Sequence, residues 1–136
     1  MQRIGDAVRV LRELQQLPFD DFSTNTLYVS TAERQLQVAI QAAIDIGEYL
    51  LAHSATASPT DYADVFAKLA SVGVIPATFG QRLARMAHFR SILVHMYLEV
   101  DLEKVYDYLQ NDLADFEEYA RYVVAFVKAH QEANER

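Results

Sequence analysis

The chain has no cysteine, only four glycines and three prolines, and no carboxylate anywhere between Asp64 and Glu99. Without cysteine there are no structural disulfides, no thiol nucleophile and no cysteine-ligated zinc. That absence also fits a cytoplasmic protein. The few glycines and prolines sit mostly at punctuation points, which favours helices joined by short connections. No internal repeat or low-complexity tract is present. No apolar run is long enough to span a membrane, and Met1-Gln2-Arg3-Ile4-Gly5-Asp6 is followed by no apolar targeting region. The expectation is a soluble protein with no membrane partner. There is no glycine-rich phosphate loop and no His-Glu-x-x-His spacing. His53, His88 and His130 are scattered, and Ser91 has no obvious triad. Neither a metal nor a cofactor is expected.

What the sequence does contain is a single domain's worth of chain, residues 1–136, with 51% apolar residues. That is enough to bury a core without staples and too apolar for disorder. The net charge is −7, from 12 basic and 19 acidic residues, which disfavours a general nucleic-acid binder. The distribution qualifies this. The carboxylate-free stretch holds Lys68, Arg82, Arg85 and Arg90, with His88 and His95; it carries +4 and leaves −11 for the rest. This is either a local field that guides one polyanion to one site or a chance clustering on a solvated face.

The periodicity predicts five helices and no strand. The first covers Gly5 to Gln16, with Val8, Leu11 and Leu14 inward, and ends at Pro18 and the polar Asp20–Asn25 segment. Ser30-Thr31-Ala32-Glu33 reads as a capping box opening a helix to about His53. Gly47 within it marks a close helix contact. Ser58-Pro59-Thr60-Asp61 starts a third helix to about Ala70, with Gly73 as its C-cap. Pro76 opens a fourth. Asp101 caps a fifth that runs to about His130. Tyr106, Tyr108, Tyr119 and Tyr122 on that helix read as core and rim. A bundle buries five such stripes, so the fold class is all-α.

The segment that stands out is Arg90-Ser91-Ile92-Leu93-Val94-His95-Met96-Tyr97. Three polar side chains are embedded among apolar ones that already supply core contacts. Arg90 and Tyr97 share a helical stripe, while His95 lies about 140° from Arg90 on a regular helix. Long side chains, a loosened helix end, or a two-fold dimer would bring them together. The set suits RNA cleavage. Histidine transfers protons near neutral pH, arginine offers a planar fork to phosphate oxygens, and a tyrosine hydroxyl positions the phosphate. With the 2′-hydroxyl as nucleophile no metal is required, and a 2′,3′-cyclic phosphate is left. The bland alternatives stay open at this point: a core histidine, a packed tyrosine, a surface arginine. Asp45, inside an apolar stretch, is either an outer surface residue or a group that contacts and orients Arg90.

The same segment, extended from Phe89 to Asp101, resembles the signature of the HepT family of HEPN proteins. That signature is arginine, four to six residues, histidine, any residue and tyrosine, usually closed by Val-Asp. Glu33 to Gly47, Tyr62-Ala63-Asp64-Val65-Phe66 and Gly73-Val74-Ile75-Pro76 resemble the family's long helix, next helix and turn. The likeness covers roughly residues 27 to 127. It implies a five-helix HEPN up-and-down bundle forming a two-fold homodimer, with the signature at the dimer cleft. It implies a metal-independent toxin ribonuclease, with tRNA the expected substrate, and a cognate nucleotidyltransferase antitoxin of the MntA type. Carried over, Arg90 and His95 are catalytic and Tyr97 is the residue that receives AMP, which would block the cleft by bulk and like charge. Arg82, Arg85 and Lys68 are expected to track the RNA backbone. Ser91 stands where the family commonly has asparagine or another strongly polar residue, and its reach is shorter.

A second reading is a non-catalytic HEPN module that partners a nucleotidyltransferase or binds a nucleotide, because a fold alone does not decide function. Cellular toxicity that depends on Arg90 and His95 fits only the enzyme.

Overall fold

The computed structural model of the chain describes residues 1–54, 58–95 and 101–134, apart from the side chains of 94, 95 and 132–134. The described residues form seven helices and no strand: α1 (Gln2–Gln15), α2 (Phe19–Ser23), α3 (Thr26–Ala52), α4 (Tyr62–Ser71), α5 (Ala77–His95), α6 (Leu102–Asn111) and α7 (Leu113–Asn134). The 27-residue α3 is the central pillar, touching every other helix. At 1.5 Å per residue it is about 40 Å long. α1 lies along it and α4 pairs with α5.

α1 buries Ile4, Ala7, Val8, Leu11 and Leu14, one stripe at helical spacing. Pro18 ends it, since the residue before a proline avoids the helical region. The polar segment expected to be irregular instead forms the single turn α2. Phe22 drives this, being fully buried. Phe19 and Phe22 pack on the Tyr106 ring at 5.2 and 5.7 Å, and the Tyr106 hydroxyl donates to the Leu17 carbonyl at 2.6 Å.

α3 starts before the expected capping box. Asn25 accepts from the Leu27 and Tyr28 amides at 3.0 and 3.3 Å, so the helix is already running when it reaches Ser30. Asparagine caps as well as serine does, and the buried Ala32 and Leu36 hold the early turns down. The start of α4 shifts in the same way. Asp61, not Ser58, caps it, accepting from the Asp64 amide at 2.7 Å, while the Asp64 carboxylate accepts from the Thr60 amide at 2.9 Å. That hydrogen bond and the Lys68 ammonium hold the Asp64 carboxyl below its ordinary range.

Other expectations hold. A Cβ on Gly47 would meet Val65 Cγ1 at 2.6 Å, so α3 and α4 touch there. Gly73 has φ +88° just past the end of α4, where the Gly73 and Val74 amides close onto the Ala70 and Leu69 carbonyls. Asp101 caps α6 through the Glu103 and Lys104 amides.

The single last helix does not hold: the chain breaks at Asp112 into α6 and α7. The apolar pattern runs straight across the break, since Leu109, Leu113 and Phe116 are all buried, so periodicity could not reveal it. Long-range polar contacts fix the break. The Gln15 side chain donates to the Leu109 carbonyl at 2.8 Å, and Gln110 donates back to the Gln15 carbonyl at 2.9 Å. Asp112 and Asp115 are then buried against arginines of α5. The core between the helices centres on Leu36, Ile40, Ile44, Phe66, Leu83 and Tyr119, whose hydroxyl donates to the Ala43 carbonyl at 2.9 Å. No helix among the described residues is long and apolar enough to cross a membrane.

Candidate functional site

α5 carries the signature from Arg90 to His95. Phe79, Leu83, Met86, Ala87, Phe89 and Leu93 form its buried stripe and fix its rotation against the core. Arg90 is left half-buried at the edge of that stripe. His95 is the last residue of α5, and its side chain lies outside the described residues, as does all of Tyr97.

Two elements hold Arg90. Its Nε donates to Gln41 Oε1 of α3 at 2.9 Å, and its guanidinium lies 4.6 Å from the centre of the Tyr62 ring at the start of α4. Gln41 in turn donates through Nε2 to Asp45 Oδ1 at 2.8 Å. Asp45 is therefore the exposed residue of the two alternatives; it does not contact Arg90, and its only link to it is through Gln41. The amide is a directional relay. With its nitrogen committed to the carboxylate, its oxygen must face the arginine. Only one of the five guanidinium N–H donors is used this way, and the ring holds the plane by cation–π attraction.

Arg90 opens onto a cleft of about 570 Å³ lined also by Arg3, Arg34, Gln37, Val38 and Gln41. Arg34, Gln37, Gln41 and Asp45 recur at spacings of three and four, so they form one stripe of α3. That stripe was the sequence signal for Gln41 and Arg34. Arg3 comes from another helix and had none. Among the described residues, Arg3, Arg34 and Arg90 have no carboxylate within ion-pairing distance.

The other expected cations go elsewhere. Arg82 pairs with Asp115, with Glu118 at 4.0 Å, and Arg85 with Asp112 at 3.5 Å. Lys68 pairs with Asp64 at 3.0 Å. The basic stretch seen in sequence is thus balanced in space by acids of α4 and of the α6–α7 junction. Arg82 and Arg85 face that junction, whereas Arg90 faces α3 and α4. Burial raises the Asp115 carboxyl above its ordinary range, against the pull of Arg82. Ser91 is exposed, and its hydroxyl turns back toward the Ala87 carbonyl at 3.5 Å. His53 and His130 sit near helix ends against backbone carbonyls one turn back. No group of three or more metal-ligating side chains converges among the described residues.

A half-buried arginine, held by one nitrogen and open to an arginine-lined cleft, is built to receive an anion with planar, forked hydrogen bonds. The comparisons with known proteins agree in direction. The family model described as Ribonuclease HepT-like matches residues 4–123. A curated relative, a tRNA nuclease HepT from Aphanizomenon flos-aquae, is 23% identical over 135 residues, spanning 99% of this chain and 92% of that protein. Another, an mRNA nuclease HepT from Shewanella oneidensis, is 27% identical over 121 residues, spanning 88% and 91%. A solved structure of a tri-AMPylated Shewanella oneidensis HEPN toxin in complex with an MNT antitoxin matches with a TM-score of 0.77, at 27% identity, over 91% of this chain and 95% of that one.

Proposed function

Since the chain belongs to the HepT-like ribonuclease family, we propose that it is the toxin ribonuclease of a toxin–antitoxin pair, cutting RNA at a site built on Arg90 and His95. The observation that carries this reading is the presentation of Arg90: tethered through Nε to Gln41, stacked on Tyr62, and lining a cleft that Arg3 and Arg34 also line.

In this mechanism the RNA 2′-hydroxyl attacks the adjacent phosphorus. The 2′-O–P bond forms, the P–O5′ bond breaks, and a 2′,3′-cyclic phosphate and a 5′-hydroxyl result. His95 serves proton transfer, which its near-neutral titration suits. Arg90 binds the phosphate and stabilises the charge that builds on its oxygens. Tyr97 positions the phosphate. Because the nucleophile is part of the substrate, the reaction proceeds without a metal ion. Two copies of the chain form the working unit, with the signature at their shared cleft.

The relatives are described as tRNA and mRNA nucleases, so RNA is the substrate class and tRNA the first member to test. The neutralising partner is a nucleotidyltransferase of the MNT type, which transfers AMP to Tyr97; a toxin of the same fold is AMPylated in its complex with such a partner. The added nucleotide places bulk and negative charge where the RNA phosphate belongs.

The test is cleavage of total tRNA by purified, unmodified protein in excess EDTA, beside folded His95→Ala. Cleavage by the wild type alone is expected. Equal cleavage by both removes His95 from the mechanism. Cleavage by neither, with intact mass showing an unmodified Tyr97, leaves a binding module instead of an enzyme.

A further inference from the structure

Arg3 and Arg34 are drawn into the Arg90 cleft from α1 and α3, and the signature accounts for neither. Both are exposed, and neither has a carboxylate partner among the described residues; Lys104, Arg121 and Lys128 are unpaired too, but only Arg3, Arg34 and Arg90 share this cleft. On a protein of net charge −7, leaving three arginines on one cleft uncompensated costs repulsion that an anion would relieve. The cleft's about 570 Å³ falls within the usual range for ligand pockets, roughly 300–1,000 Å³.

Its geometry separates the charges. Arg34 lies two turns before Gln41 on α3, about 10 Å along the axis, and Gln41 is where Arg90 is tethered. That spacing favours a separate phosphate for Arg34 over a share of the one at Arg90. Gln37, between them, adds an amide donor to the floor. Arg3 also lines a second cleft with Met1, Asp6 and Asp45, and the two carboxylates disfavour an anion on that side.

Resting on the nuclease reading above, we infer that Arg34 and Arg3 form a second phosphate subsite, which holds a backbone phosphate of the RNA neighbouring the one cut at Arg90. The carboxylates beyond Arg3 then set which way the strand leaves the scissile site. These two arginines are binding residues; they take no part in proton transfer.

The experiment measures binding of a single-stranded 2′-O-methyl RNA oligonucleotide, which lacks the attacking hydroxyl and so stays intact, by anisotropy across a salt series. Wild type is compared with Arg3→Ala/Arg34→Ala, Arg3→Lys/Arg34→Lys and Arg90→Ala. The alanine pair is expected to raise Kd about tenfold or more at low salt. Its slope of log K against log salt should be shallower by about 0.7 for each lost contact. The lysine pair should restore the slope. Because both arginines are exposed, thermal melts of the variants should match the wild type.

Unchanged affinity and slope in the alanine pair, with Arg90→Ala weakened, would take the cleft off the RNA path and overturn the subsite. So would a loss of AMP binding with RNA binding intact, which makes the cleft a mononucleotide site. A change in sedimentation alone would make it an interface between copies, and also overturns it. A wild type that neither binds this RNA nor cuts tRNA fails the nuclease reading itself, a result distinct from all of these.

Discussion

Arg90 has no acid directly against it among the described residues, and that decides what it can do. A carboxylate in contact would neutralise it; the Gln41 amide fixes its direction and leaves its charge available. Asp45 acts one step removed, by setting which end of the amide faces the arginine. Gln41 is therefore a positioning residue. Gln41→Leu is expected to lower kcat/KM for RNA by about ten- to a hundredfold, the worth of one hydrogen bond to a charged group. Its thermal melt should hardly move, since Gln41 is half-exposed. Gln41→Glu should lower RNA affinity instead, by pairing the guanidinium. Kinetics of the two variants side by side check this: equal losses in kcat and KM from both would mean that the amide does nothing directional.

At the scale of elements, the site depends on how closely α3 and α4 approach, because α3 brings Gln41 and α4 brings Tyr62 to Arg90. Gly47 sets that approach. Alanine there gains helix propensity, roughly 1 kcal/mol, but its Cβ would lie 2.6 Å from Val65 Cγ1 and 3.0 Å from Leu69 Cδ1. Overpacking of this kind costs typically about 1–3 kcal/mol. Gly47→Ala is expected to be destabilised by about 1 kcal/mol net in denaturant unfolding. A stabilised variant would mean that α4 yields freely, and that Tyr62 is no rigid support for Arg90. The break between α6 and α7 has its own consequence: it turns Asp112 and Asp115 toward α5 and holds Arg85 and Arg82 away from the cleft.

Taken whole, the molecule sorts its charges: acids pair with Arg82 and Arg85 of α5, while Arg90 shares a cleft with Arg3 and Arg34, none of the three with a carboxylate in ion-pairing distance among the described residues. Burying Asp115 leaves a signature in the pH dependence of stability. Its carboxyl is raised in the folded state, first by burial, so between its ordinary value near 3.9 and its folded value the native protein binds more protons than the unfolded chain. Stability from this group therefore falls as pH rises through that window, and is greatest below it. Asp115→Asn should remove that slope. Unfolding free energies of both proteins from pH 3 to 6 measure it. An identical slope in the variant would assign the effect to another group.

The sequence by itself determined what local chemistry controls. The helical class, the stop at Gly73, the cap at Asp101, the close contact at Gly47 and the placing of Arg90 on a helix all depend on neighbours a few residues away, and all could be read. It did not determine where charges finish. Arg82 meets Asp115 across 33 residues and Arg90 meets the neutral Gln41 across 49, so within one cluster that is basic along the chain some arginines became charge-paired and Arg90 did not. Meanwhile Arg3, which nothing in the sequence marked, and Arg34, marked only by its place on the α3 stripe, line one cleft with Arg90. The break at Asp112 belongs with these: apolar periodicity carries through it, and only the cross-links from Gln15 and the arginines of α5 place it. Helices form from local spacing, but a side chain's charge partner is set by which helices pack together, and that is decided by the tertiary structure alone.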